Sequence, residues 1–146
     1  MEAVNPYLNF PGNTEEAFNF YRSVFGGEFA AVLRFRDFGD NSMGIAEADL
    51  DKIAHIALPL GPNSMLMATD HVDSFPQKYA PGNNFYIALT PESAEEAERL
   101  FGALSEGGEI EMELQQTAWA EKHGSCADRF GARWMVDYAG SVQVPG

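Results

Sequence analysis

Hydrophobic and polar positions along the chain repeat one pattern twice. Alternation over Asn5–Phe10 predicts a strand, and apolar residues at helical spacing over Asn13–Phe25 predict an amphipathic helix. The same order returns as a strand over Asn84–Leu89 and a helix over Pro91–Ser105. A Gly-Gly pair and a further apolar segment follow each helix. The pattern therefore predicts two related modules, each beginning strand–helix–strand.

Single residues and later strands extend the repeat. Glu15-Glu16-Ala17 recurs as Glu95-Glu96-Ala97, 80 positions further along the chain. The strands predicted after the two helices are Glu28–Asp37, Ile53–Leu60, Ser64–Thr69, Glu109–Leu114, Lys122–Asp128 and Arg133–Tyr138. We therefore expect an α+β fold of two tandem β-α-β-β-β modules within one domain, residues 1–146. The modules span about 3–70 and 83–140 and are joined by a linker at about 71–82; Val142–Gly146 is expected to be unstructured.

The helix starts have sequence signals of their own. Asn13 is a favoured N-cap residue, and Glu16 follows it at the spacing of a capping box. For the second helix, Thr90 is the predicted N-cap, because Pro91 would then occupy the first helical position.

Charge and composition narrow the functional classes. The chain has 146 residues, 45% of them hydrophobic, which suffices for one well-packed domain. A net charge of −13 argues against nucleic-acid partners and anionic membrane surfaces. We see neither a signal peptide nor an apolar run of membrane-spanning length. The single cysteine, Cys126, excludes an internal disulfide and predicts a cytoplasmic location.

Three side chains could carry chemistry. His55 lies in the middle of a predicted strand between apolar neighbours, so it is either a general base or ligand contact, or a hydrogen-bonded core histidine. Cys126 and His123 are three residues apart and fall on opposite faces of an extended strand, which disfavours a Cys–His nucleophile pair. The simpler interpretation of Cys126 is a small buried hydrophobic residue.

Several segments together resemble the vicinal oxygen chelate superfamily, which includes glyoxalase I, bleomycin-resistance proteins and extradiol dioxygenases. Within it, the chain is most similar to the PhnB-like branch. The matching segments are Asn5–Phe10, Glu15–Tyr21, Phe25–Gly27, His55–Leu58 and the C-terminal Trp119…Gly124…Asp128-Arg129-Phe130-Gly131-Ala132-Arg133-Trp134-Met135-Val136. The resemblance runs from Asn5 to Tyr138.

This resemblance implies a curved mixed sheet around a cleft, usually completed by a second subunit, so we expect a homodimer. The cleft would be lined by a set of polar and aromatic residues. Its expected members are Tyr7, Asn9, His55, Tyr86, Gln115, Trp119 and His123, to which Arg34 could add. Trp119 and Tyr86 could instead be core or dimer-interface aromatics. Many members of this branch carry the name of a ubiquinone-pathway methyltransferase, yet the chain has no Gly-rich loop after a strand for a nucleotide-like methyl donor.

The resemblance also implies where metalloenzymes of the superfamily hold a divalent cation. Those positions carry Asn5, Leu66 or Met67, Asn83 or Asn84, and Met135. Zinc, nickel and iron prefer imidazole, thiolate or carboxylate ligands, so we expect the metal site to be lost and no cofactor to be required. Asp137 lies two residues beyond Met135 and would ligate only in a shifted register.

Two functional hypotheses remain. The first is a small-molecule binding protein without chemistry of its own, similar to the bleomycin-resistance members. The second is a lyase, isomerase or dioxygenase-type enzyme on a small oxygenated substrate, with His55 or Glu113 as base and with or without a divalent metal. A weaker third hypothesis is an interaction protein whose cleft is filled by its own side chains.

Overall fold

The computed structural model describes residues 1–142 and consists of two compact units, Met1–Ala80 and Pro81–Gly146. The predicted unstructured tail, apart from Val142, lies outside the described residues. Each unit is a four-stranded mixed sheet with one α-helix, so the predicted α+β class with two tandem modules is confirmed.

The first unit contains one helix and four strands. They are β1 (Tyr7–Phe10), α1 (Thr14–Phe25), β2 (Ala31–Arg34), β3 (Ile53–Leu60) and β4 (Ser64–Asp70). The strand order is β1-β4-β3-β2, with β1 parallel to β4 and the other pairs antiparallel.

The second unit repeats this topology. Its elements are β5 (Ile87–Leu89), α2 (Ala94–Ser105), β6 (Glu109–Gln115), β7 (Lys122–Ala127) and β8 (Arg133–Tyr138). The order β5-β8-β7-β6 again places a short parallel strand at one edge.

The two helices have equal lengths and bury the predicted stripes. Each has 12 residues, and both ends of α2 lie 80 positions after those of α1. The fully or nearly buried stripes are Ala17, Phe18, Tyr21 and Val24 in α1, and Ala97, Leu100, Phe101 and Leu104 in α2. In each unit this apolar stripe packs on the sheet and forms the core.

One predicted N-cap position was wrong, and the other, Asn13, is the N-cap residue but lacks the predicted side-chain bond. The second helix begins three residues later than expected, because Ser93 caps it by accepting a hydrogen bond from Glu96 N at 3.0 Å. Glu96 in turn accepts from Glu92 N at 2.8 Å, so its side chain binds the N–H of the residue just before the N-cap. In α1 the Asn13 side chain makes no capping bond. Asp70, at the end of β4, accepts the Thr14 N–H instead, at 3.0 Å.

The strand predicted over Glu28–Asp37 is shorter than expected. It ends at Arg34, and Phe35–Phe38 form a turn of 3₁₀ helix. Asp37 accepts a hydrogen bond from Arg34 N at 2.7 Å and so closes this turn. The turn directs Phe35 into a second small core with Ile45, Leu50 and Val72.

The segment predicted as a linker begins inside the first unit. Val72 is buried in that small core, and His71 N donates to Phe10 O at 2.7 Å. The rings of Phe75 and Tyr79 contact the ring of His71. The boundary between the two compact units falls later, between Ala80 and Pro81.

Strand β6 is an edge strand with an irregular ladder. Six of its seven residues are exposed, including Ile110 and Met112, and its register to β7 shifts twice. Within residues 1–142, neither helix has the length and apolar character needed to cross a bilayer.

Candidate functional site

Each sheet has one face against its own helix and one opposite face, which we call the distal face. In the first sheet Phe10 meets the rings of Phe18 and Tyr21 of α1, so alternation places Tyr7 and Asn9 on the distal face. In the second sheet a Cβ at Gly124 would lie 2.9 Å from Phe101 of α2, which places His123 on the distal face.

Tyr7 and His55 meet on the distal face of the first sheet. The Tyr7 hydroxyl lies 3.0 Å from His55 Nδ1, and the two rings stack with centroids 5.7 Å apart. Burial raises the pKa of the Tyr7 phenol, which therefore stays neutral near pH 7. A neutral phenol can either donate to or accept from the imidazole, so this pair does not fix which ring nitrogen carries the proton.

The other predicted residues of this unit lie apart from that pair. Asn9 is exposed and pairs in register with Thr69 of β4. Arg34, proposed as an addition to the cleft, instead binds Glu15 of α1 at 2.8 Å and Asp51 O at 2.8 Å. It therefore serves to hold α1 against the loop that follows β2.

His123 and Asp137 form a second pair that the sequence analysis did not anticipate. They are direct cross-strand partners on β7 and β8, and His123 Nδ1 lies 2.9 Å from Asp137 Oδ1. His123 is 6% exposed. Trp119 packs edge to face against its imidazole, with ring centroids 5.1 Å apart. Two predicted residues thus come together, and Asp137 joins them as the hydrogen-bond partner of the histidine.

A short loop presents Trp119. The Thr117 hydroxyl accepts hydrogen bonds from Trp119 N at 3.3 Å and Ala120 N at 3.2 Å, while Thr117 N donates to Ala120 O at 2.9 Å. This ST-type turn fixes the backbone on both sides of the indole. Trp119 is nevertheless 45% exposed, so the loop holds a large aromatic surface ready for contact.

A polar cluster lies at the other end of the second sheet. Glu111 Oε2 accepts from the Tyr86 hydroxyl at 3.2 Å and is ion-paired with Arg133 Nη1. Gln115 is exposed and pairs in register with His123, so it lies near the Trp119 end. The predicted residues of this unit therefore divide between two ends of one sheet.

The Asp-x-Phe-Gly-x-x-Trp segment has a structural role. Asp128 is 4% exposed, and its Oδ1 accepts from Phe130 N at 2.8 Å and Ala132 N at 3.1 Å. Its Oδ2 accepts from the indole Nε1 of the buried Trp134 at 2.8 Å. One carboxylate thus closes the β7–β8 turn and anchors the core tryptophan, which explains the spacing of the segment.

Cys126 lies on the helix-side face of β7 and is fully buried. Burial raises the pKa of its thiol to about 11, with smaller contributions from Asp128 and Glu111. The thiol is therefore protonated near neutral pH and a poor nucleophile.

The four positions that the resemblance assigns to a metal do not suit one. Asn5 Oδ1 already accepts from Met65 N at 2.9 Å. Asn84 is exposed, and Met67 and Met135 offer thioethers, which are weak ligands for hard or borderline cations. Among residues 1–142, no three His, Cys, Asp or Glu side chains are grouped as a metal site would need.

Comparison with known proteins places the chain in a family. Residues 4–136 match the sequence model of the Glyoxalase/Bleomycin resistance protein/Dioxygenase superfamily. Protein YjdN of Escherichia coli (strain K12) is 29% identical over 141 residues, covering 92% of this chain and 93% of YjdN.

Two solved structures share the fold along nearly the whole chain. Protein PA1353 from Pseudomonas aeruginosa has 41% sequence identity and a TM-score of 0.82, with 92% of this chain and 96% of that chain covered. The Bacillus cereus PhnB protein, described as a putative 3-demethylubiquinone-9 3-methyltransferase, has 25% identity and a TM-score of 0.73, with 93% and 98% covered. The chain belongs to the Glyoxalase/Bleomycin resistance protein/Dioxygenase superfamily, and within it to a PhnB-like branch.

Proposed function

We propose that this protein binds a small planar or carbonyl-bearing molecule on the distal face of its second sheet. The observation that carries the proposal is the exposed Trp119, held by the Thr117 turn and packed on the His123–Asp137 pair. An aromatic platform beside a few oriented polar groups is the usual composition of a small-molecule site. Tyr86 and the Glu111–Arg133 ion pair supply polar groups at the opposite end of the same sheet.

The test is a thermal-shift screen against aromatic and carbonyl-containing metabolites, followed by titration of the hits. A compound present at about 100 times its dissociation constant should add about 2.7 kcal/mol to stability. Trp119→Ala should abolish that stabilisation and leave the protein folded, because the indole is largely outside the core. Phe38→Ala is the matched control, since Phe38 is 48% exposed and lies in the first unit.

The outcomes separate clearly. Equal stabilisation of the Trp119→Ala variant and the wild-type protein would place the ligand elsewhere. Loss of the fold in this variant would show that Trp119 is a core residue. Since the chain contains only two tryptophans and Trp134 is fully buried, ligand-induced quenching of fluorescence reports mainly on Trp119.

An enzyme acting on a small oxygenated substrate is the second candidate. The His123–Asp137 pair favours it, because a carboxylate that orients an imidazole is a common arrangement for general base catalysis. His55 stays a candidate base with Tyr7 as its partner. Product formation from screen hits, followed by NMR in wild-type, His55→Gln and His123→Gln proteins, distinguishes catalysis from binding. Elemental analysis and thermal shift with divalent metals test the expectation that the protein needs no metal.

We also propose that the protein is a cytoplasmic homodimer, as expected from the branch that it resembles and its single cysteine. Light scattering should give twice the 16.0 kDa chain mass. A mass of one chain would refute the dimer.

A further inference from the structure

We infer that His123 Nε2 accepts the proton of an acidic hydroxyl, phenolic or enolic, on the ligand that the second sheet binds. This inference rests on the proposed binding function and names the class of molecule recognised. Phenols and enols both carry an acidic hydroxyl on a planar unsaturated group, and a planar group can pack against the indole while its hydroxyl meets the imidazole.

Asp137 determines which nitrogen of the neutral His123 ring carries the proton. Asp137 Oδ1 lies 2.9 Å from His123 Nδ1, and an ionised carboxylate has only acceptor sites. The proton of the neutral imidazole must therefore lie on Nδ1, and Nε2 presents a lone pair. His55 differs in this respect, because the Tyr7 hydroxyl beside it can donate as well as accept.

The lone pair on His123 Nε2 must also be accessible to a ligand. The buried side-chain nitrogen and oxygen atoms that lack a hydrogen-bond partner within residues 1–142 are Asn13 Oδ1, Thr14 Oγ1 and Arg133 Nε. His123 Nε2 is not among them, and within the described part of the chain the structure records only Asp137 and Trp119 as partners of the ring. Nε2 therefore keeps some contact with solvent, although the residue as a whole is only 6% exposed.

The groups around the imidazole favour transfer of a proton to Nε2. Among the described residues, Asp137 of β8 is the charged group in contact with the imidazole, whereas the neighbouring Gln115 of β6 and Trp119 of the preceding loop are uncharged; Glu113 lies two residues before Gln115 on β6 and makes no recorded contact with the ring. A hydrogen bond formed in such a covered site is stronger than the same bond in water. When a hydroxyl proton moves to Nε2, the O–H electron pair stays on the ligand oxygen. The imidazolium that results is stabilised by Asp137, so no other reactant is needed.

The experiment compares 4-nitrophenol with 4-nitroanisole, which has a methyl group in place of the acidic proton. We expect the wild-type protein to bind the phenol about tenfold more tightly, the value of one additional hydrogen bond to a polarised acceptor. The bound phenol should also show increased absorption in the nitrophenolate band at a pH at which the free probe is mostly protonated.

Asp137→Asn is the decisive variant. An asparagine is neutral and can present either its amide N–H or its amide oxygen to Nδ1, so it neither holds the imidazole proton on Nδ1 nor stabilises an imidazolium. The preference for the phenol should disappear, and the nitrophenolate band should not increase. Glu95→Gln removes an exposed carboxylate from α2, on the other side of the second sheet, and should change neither result.

Each outcome is decisive. Equal affinity of the wild-type protein for the two probes would overturn this inference while leaving aromatic binding in place. An unchanged preference in Asp137→Asn would show that the pair does not set the acceptor. Binding of neither probe would overturn the inference, and the metabolite screen would then decide the proposed function independently.

Discussion

Replacing Asp128 by Asn should destabilise the second unit through one identifiable bond. The carboxylate accepts three N–H groups in a nearly fully buried position, from Phe130 N, Ala132 N and Trp134 Nε1. An amide oxygen can keep the two backbone donors, but the NH₂ group then faces the indole N–H and cannot accept its hydrogen bond. Turning the amide over would leave the two backbone donors unpaired, which is worse.

The expected loss follows from these contacts. A hydrogen bond to a charged group contributes about 1.5–3 kcal/mol, and a stranded buried donor costs about 1–3 kcal/mol. We expect Asp128→Asn to lower the free energy of unfolding by about 3 kcal/mol. Glu109→Gln removes a carboxylate from an exposed position of the same unit and should change it by less than about 0.5 kcal/mol.

Urea unfolding followed by far-UV circular dichroism is the suitable assay, because fluorescence would itself change with Trp134. A double-mutant cycle isolates the indole bond. In a Trp134→Phe background no indole N–H faces position 128, so the cost of Asp128→Asn should fall by about 1–3 kcal/mol. The reasoning is refuted if the cost is the same in both backgrounds, or if Asp128→Asn matches Glu109→Gln.

Three further predictions use other contacts. Gly102→Ala should stabilise α2 by about 0.5–1 kcal/mol, because an added Cβ meets no atom within 4 Å. Gly108→Ala should destabilise the protein by at least about 1–3 kcal/mol, because its Cβ would lie 2.1 Å from Ala127 O. Thermal denaturation should therefore show a higher midpoint for the first variant and a lower midpoint for the second. Cys126 should resist a thiol reagent at pH 8 in the native protein. The free energy of unfolding should fall as pH rises from about 9 to 11, because the thiol of the unfolded chain ionises at lower pH than the folded one. A flat stability profile over this range, or a fall that is the same in Cys126→Ala, would contradict the raised pKa. Thr117→Val should weaken ligand binding through Trp119 while Thr117→Ser preserves it, because only serine keeps the acceptor for Trp119 N and Ala120 N; equal binding constants by fluorescence titration would contradict a positioning role.

Local patterns were sufficient for the helices and most strands, since these depend on periodicity within one segment. They failed where a distant residue decides the outcome. Phe35 leaves the strand predicted over Glu28–Asp37 because Ile45, Leu50 and Val72 form a core for it. The start of α2 was mispredicted for a different reason. Ser93 and Glu96 have the Ser-x-x-Glu spacing of a capping box in the sequence, but the prediction followed the proline at position 91 instead.

The candidate site shows the same division. Tyr7, His55, Trp119 and His123 were proposed from their residue types, their neighbours and the family resemblance, but their partners depend on strand register. The His123–Asp137 pair was within reach, because the hairpin of β7 and β8 pairs residues equidistant from Phe130. Glu111 was less accessible, since it lies at an irregularity of the β6 ladder that alternation does not anticipate.

The irregular hydrogen-bond ladder of β6 affects how readily the protein aggregates at high concentration. An open sheet edge is a template on which a second molecule can add its own strand and begin a fibre. Two register shifts interrupt the straight run of backbone groups that such an addition needs, and Glu109, Glu111 and Glu113 would bring like charges together between identical chains. Strand β6 is thus a poor template for self-templated aggregation.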